Sequence, residues 1–158
     1  MTEAQVTTVI LFIAIAWAGL QLGTLWIMQT SILPLLNSRG PKEYLDTCQG
    51  IDMHLFHKIA LNGGILFMLA GGYLTYQLDD IWAAICTAAA TIGMMGVGLV
   101  SEGTNRPIWR RIEKWNTSTL AQNWIQLRRI WGNAHTLRTV SAFVSWVGFT
   151  AAAIIVFT

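Results

Sequence analysis

Four long stretches of this chain carry no charged residue, and they decide what it can fold into. Residues 6–33, 59–78, 81–101 and 140–158 are apolar, interrupted only by small or uncharged polar residues. Each reaches the ~20 residues that a helix rising ~1.5 Å per residue needs to cross ~30 Å of hydrocarbon. With 54% of residues hydrophobic and 11% charged, a membrane is the expected solvent, ahead of any soluble core. The predicted fold is all-α: an integral membrane four-helix bundle forming a single four-span domain over residues 1–158. The start of the chain carries Glu3 and no Lys or Arg before the first apolar stretch, where a cleaved leader has a basic start, so that stretch is expected to be retained as a span.

Charge gives the orientation. All ten Lys and Arg fall within 37–58 or 102–139, together with five acids, whereas the other side holds only Glu3, Asp79 and Asp80. The basic side is expected in the cytoplasm and both termini outside. The Trp residues among these bases suit the headgroup layer. Cys48 and Cys86 are expected to lie too far apart to form a bridge.

The second and fourth helices are expected to start well before their apolar stretches and to extend into the cytoplasm. Gly40, Pro41 and Glu43 have the order of an N-cap, a first helical proline and a first-turn acid, which predicts a helix over 41–78. Thr119 and Gln122 have capping-box spacing and predict a helix over 120–158. Each would be roughly 57 Å long, with Gly50 and Gly132 as places to bend. Gly19 with Gly23, Gly63-Gly64 with Gly71-Gly72, and Gly93, Gly96 and Gly98 read as close-packing positions between helices.

Depth brings the polar residues together. His57 stands 22 residues before Asp79, Glu102 stands 22 after Asp80, His135 stands 23 before the C-terminus, and Gln29 stands 22 after Thr7. At ~1.5 Å per residue, all four lie about 33 Å from the outer side. His54 with His57, Glu102 with Asn105, and His135 with Arg138 are each i, i+3 pairs, and Thr139 follows His135 at i+4, so each set shares a helix face. A polar pocket beneath an apolar interior is expected.

Three chemistries fit that pocket. His54, His57, His135 and Glu102 could ligate Fe, Cu or Zn. Without a metal, His135 could act as general base, with Arg138 and Asn105 stabilising the anion. Haem held between two His is the third, less favoured option. Gln29, Trp131 and Thr139 are the expected substrate contacts. Against these stand plainer roles: headgroup binding by a boundary His or Arg, and a structural ion pair of Glu102 with Arg106 or Arg138.

The segment TNRPIWRRIEKW, with WIQLRRIWGNAHTLRT following it, resembles a family of small four-helix membrane proteins that includes the anthrone oxygenases of polyketide pathways. Asn105, Pro107 and Trp115, then Trp131, His135, Arg138 and Thr139, carry the resemblance. Many members continue Asn-x-Pro with Leu-Asn where this chain has Ile108-Trp109, and the His54-x-x-His57 pair has no counterpart in the general pattern. The resemblance implies oxidation of a lipophilic aromatic, an anthrone or hydroquinone, by dioxygen with no added cofactor. The expected partners are that substrate, dioxygen and membrane lipid, with self-association open and no nucleic acid. The rival function is a non-catalytic membrane binding or assembly protein whose basic face meets lipid or a partner.

Overall fold

A computed structural model describes residues 1–50, 54–116, 118 and 123–158, with the side chains of 54–62 left out of the description. Five helical rods form: α1 (Glu3–Ser38), α2 (Pro41–Gly50), α3 (His54–Gln77), α4 (Ile81–Ile112) and α5 (Trp124–Phe157). The expected four-helix bundle is therefore corrected to five helices, of which three among the described residues, α1, α4 and α5, are long and apolar enough to span a membrane. Within the expected second helix over 41–78, Pro41–Gly50 and His54–Gln77 are helical among the described residues, and the first and third run past their apolar stretches to Ser38 and Ile112. The expected capping pair at Thr119 and Gln122 lies outside the described residues.

Local chemistry explains the starts. Thr2 and Gln5 make a reciprocal capping box: the Gln5 N–H donates to Thr2 Oγ1 at 3.3 Å and the Thr2 N–H donates to Gln5 Oε1 at 2.9 Å. Asp80 caps α4 by accepting from the N–H groups of Trp82 and Ala83 at 2.8 and 3.0 Å.

The extensions of α1 and α4 share one device. Each passes through a π-helical turn, Met28–Ile32 in α1 and Ser101–Asn105 in α4. The Leu33 N–H closes on Met28 O and the Arg106 N–H on Ser101 O, each a bond five residues back. A proline follows each turn, Pro34 and Pro107. Proline lacks an N–H and its ring crowds the carbonyl four residues earlier. The widened turn makes room for that ring, so the helix continues where proline would ordinarily end or kink it.

Packing falls into two cores. The upper core joins α1, α3, α4 and α5 through Leu11, Ala18, Phe67, Ala90, Ala142 and Phe149. Close approach of α4 and α5 depends on glycine: a Cβ on Gly148 would lie 2.7 Å from Cys86 O, and one on Gly93 would lie 2.7 Å from Ser141 O. The lower core, at the basic end, joins Leu33 and Leu36 of α1, Tyr44 and Cys48 of α2, Ile112 of α4 and Leu127 of α5. Gln49 of α2 ties this end together, its Nε2 donating to Ile112 O at 2.9 Å and Trp115 O at 2.6 Å, carbonyls at and just past the end of α4. Cys48 and Cys86 are both free thiols.

Phe12 and Leu20 of α1, Trp82 and Ile92 of α4, and Leu137 and Phe143 of α5 all face outward and exposed. An apolar belt of this extent suits hydrocarbon and not water. The protein is largely helical and membrane-spanning.

Candidate functional site

Between the two cores lies a polar layer. On α1, Gln29 separates Leu25 of the upper core from Leu33 of the lower; on α4, Asn105 stands between Val97 and Ile108; on α5, His135, Arg138 and Thr139 stand between Trp131 and Ala142. Both π turns contact α5. The turns thus occur where α1 and α4 bring polar residues to the level of His135, and π turns inside α-helices often mark functional sites.

The layer is buried and largely unsatisfied. Asn105, His135, Arg138 and Thr139 are 3%, 4%, 7% and 6% exposed. Both carboxamide atoms of Asn105, Nδ1 of His135, Nε of Arg138, Nε1 of Trp109 and Oε1 of Gln29 are buried without a hydrogen-bond partner among the described residues. Native interiors leave few such groups, so this many at one depth calls for a chemical explanation. Thr139 differs, since its Oγ1 donates to the carbonyl of His135 at 3.0 Å, where Ser and Thr hydroxyls of buried helices commonly bond.

Aromatic rings wall the layer on its basic side. Trp131, 2% exposed, sits one turn before His135 and meets its imidazole edge to face, with centroids 5.4 Å apart and planes at 89°. Trp109 continues the wall against Trp131 at 6.0 Å. Its position, where the resembled family has Asn, gave no reason to place it in the site. The continuity of α4 through Pro107, which puts Trp109 one turn below Asn105, was the missing signal.

Glu102 does not share the burial of Asn105. It is ion-paired with Arg106 at 2.6 Å, and both side chains are more than a third exposed. That is the plainer structural role expected for Glu102. His54 and His57 lie among the residues whose side chains are not described, and among the described residues no three His, Cys, Asp or Glu side chains gather into a group able to hold a metal. Of the expected site residues, the helices bring Gln29, Asn105, Trp131, His135, Arg138 and Thr139 to one level. The arrangement offers an imidazole, a guanidinium and two carboxamides in a layer walled by aromatic rings.

Set against known proteins, the chain matches no family model, no curated protein and no solved structure.

Proposed function

We propose that this protein is a membrane-embedded oxidoreductase, resembling the anthrone oxygenases, that oxidises a lipophilic aromatic with dioxygen in the layer around His135. The observation that supports this most is the set of buried, unpartnered polar atoms of Asn105, His135 and Arg138 between apolar cores and beside two indoles. Leaving such groups unpaired is costly in a fold without a ligand, and a substrate carrying a carbonyl and hydroxyls would pair them.

In the proposed reaction, His135 takes a proton from the ring methylene of an anthrone. The resulting anion is electron-rich, and Arg138 and Asn105 hold its oxygen as charge develops there. The carbanion's electron pair forms a C–O bond to dioxygen, and protonation gives a hydroperoxide. Loss of water from that hydroperoxide leaves a carbonyl, so one oxygen atom enters the quinone and the other leaves as water. Trp109 and Trp131 form one wall beside the flat ring system and Gln29 supplies a carboxamide from α1. Charge asymmetry supports placing the basic end in the cytoplasm, with both termini on the opposite side.

Oxygen uptake with a panel of anthrones and hydroquinones tests the reading. The wild type is expected to consume one dioxygen per anthrone, and His135→Ala to fall by about 100-fold or more, the usual scale for a lost general base. Arg110→Gln, at an exposed position, should stay within about twofold. Equal uptake by wild type and His135→Ala removes His135 from the chemistry. Metal analysis of the same preparations decides whether His54 and His57 bring a metal to it.

A further inference from the structure

We propose a second binding site on this protein: a groove at the basic end that holds the phosphate of an anionic glycerophospholipid. The groove, about 650 Å³, opens between the end of α1 and the first turns of α5. Three arginines line it, Arg39, Arg128 and Arg129, and no acidic residue does.

The three guanidiniums differ in what they can give. Arg128 is committed, donating to both Oδ1 and the carbonyl of Asn37 and lying over the rings of Tyr44 and Trp124 at 5.1 and 5.5 Å. Arg39 is shared with Glu43 at 3.5 Å. Arg129 is exposed and has no ion-pair or hydrogen-bond partner among the described residues, so it is the group poised to take a phosphate.

The rest of the α5 face fits the rest of a lipid. Above Arg129, at alternating steps of four and three residues, come Asn133 and Thr136 and then exposed Val140, Phe143 and Val147. These positions share one face of the helix. Thr136, which lines the groove, lies about 10 Å above Arg129, at the depth of ester carbonyls. The apolar residues then form a track for an acyl chain. Gly132 forms part of the groove wall, and a Cβ there would meet no atom within 4 Å. The space is open because this residue has no side chain.

That absence supplies the test. Native mass spectrometry of the purified protein, titrated with phosphatidylglycerol or phosphatidylcholine of identical acyl chains, should show about tenfold preference for the anionic lipid, in line with the pull of a few arginines at a headgroup layer. Gly132→Leu, whose Cβ meets no atom within 4 Å, puts a side chain into the groove and should erase the preference. Arg129→Gln should weaken it by about fivefold, as one arginine's share. Both variants should keep the wild-type elution profile and helical signal. Millimolar inorganic phosphate, offered alone, should leave the lipid adducts unchanged. Equal retention of the two lipids by wild type, or unchanged preference in both variants, overturns the proposal. Displacement of the lipid by inorganic phosphate overturns the lipid assignment in favour of a free anion.

Discussion

Asn105 is buried with neither carboxamide atom partnered among the described residues. An unsatisfied buried polar group costs about 1–3 kcal/mol, and an apolar residue of similar shape avoids that cost. Asn105→Leu is therefore expected to raise the thermal midpoint in detergent while cutting oxygen uptake by about 100-fold, the signature of a residue kept for function at the expense of stability. A fall in midpoint would instead assign the carboxamide a structural role. Cys48 shows the opposite use of burial. It packs in the lower core beside Tyr44, and burial pushes its thiol from 9.0 up to about 11, the Tyr44 and Arg128 contacts offsetting only part of that rise. The thiol is thus neutral in the folded protein throughout the physiological range, and maleimide should modify it slowly at pH 7 until the protein is unfolded. Because the folded value is raised, its contribution to stability is whole below about 9 and is lost as pH climbs towards about 11. A pH-stability series of wild type against Cys48→Ala measures that window.

At the scale of elements, two glycines on α5 should respond in opposite ways. Gly148 meets backbone, with a Cβ only 2.7 Å from Cys86 O, so Gly148→Leu must force α4 and α5 apart and cost about 1–3 kcal/mol or more. Gly132 meets open space, so Gly132→Leu should be neutral or slightly stabilising, since leucine favours a helix more than glycine by up to ~1 kcal/mol. Thermal unfolding of the pair in one detergent reads the contrast, and equal losses would refute the packing argument. Of the glycines expected at helix contacts, Gly19, Gly63, Gly71, Gly93 and Gly96 meet a neighbouring helix, whereas Gly23, Gly64, Gly72 and Gly98 meet open space. Counting along helices put Gln29, Glu102 and His135 at one depth, yet His135 is buried and Glu102 is partly exposed. The sequence did not reveal how α1 and α4 pass their prolines. The apolar stretches 6–33 and 81–101 stop short of the lower turns that carry Leu36, Trp109 and Ile112 past Pro34 and Pro107 into the second core. Read as an ordinary α-turn, Glu102 and Asn105 share a face; in the wider π turn Glu102 is paired and partly exposed while Asn105 is buried. Local propensity carries no mark of a π turn, which depends on the proline after it and the contacts around it.

Across the whole molecule, the two ends differ in charge and in how they are closed. At one end, Gln77 Nε2 donates to Glu3 Oε1 at 2.7 Å, joining the end of α3 to the start of α1 beside the Asp79-Asp80 turn. At the other, α2 and Arg128 tie the ends of α1 and α4 to the start of α5. Every Lys and Arg of the chain lies from Arg39 to Lys58 or from Arg106 to Arg138, towards that second end. Short basic loops resist translocation, whereas acidic residues contribute little, so the second end is expected in the cytoplasm. In that orientation the proposed site would exchange protons through His135 with the cytoplasmic boundary, and the proposed lipid groove would face the anionic inner leaflet that its arginines match. Position 110 is exposed at the basic end and Thr2 is exposed at the other. In a chain with Cys48 and Cys86 replaced, Arg110→Cys should resist a membrane-impermeant maleimide in intact cells and react after permeabilisation, while Thr2→Cys should react at once. Labelling of the position 110 cysteine in intact cells would invert the molecule, placing both the groove and the proton path of His135 on the outer face.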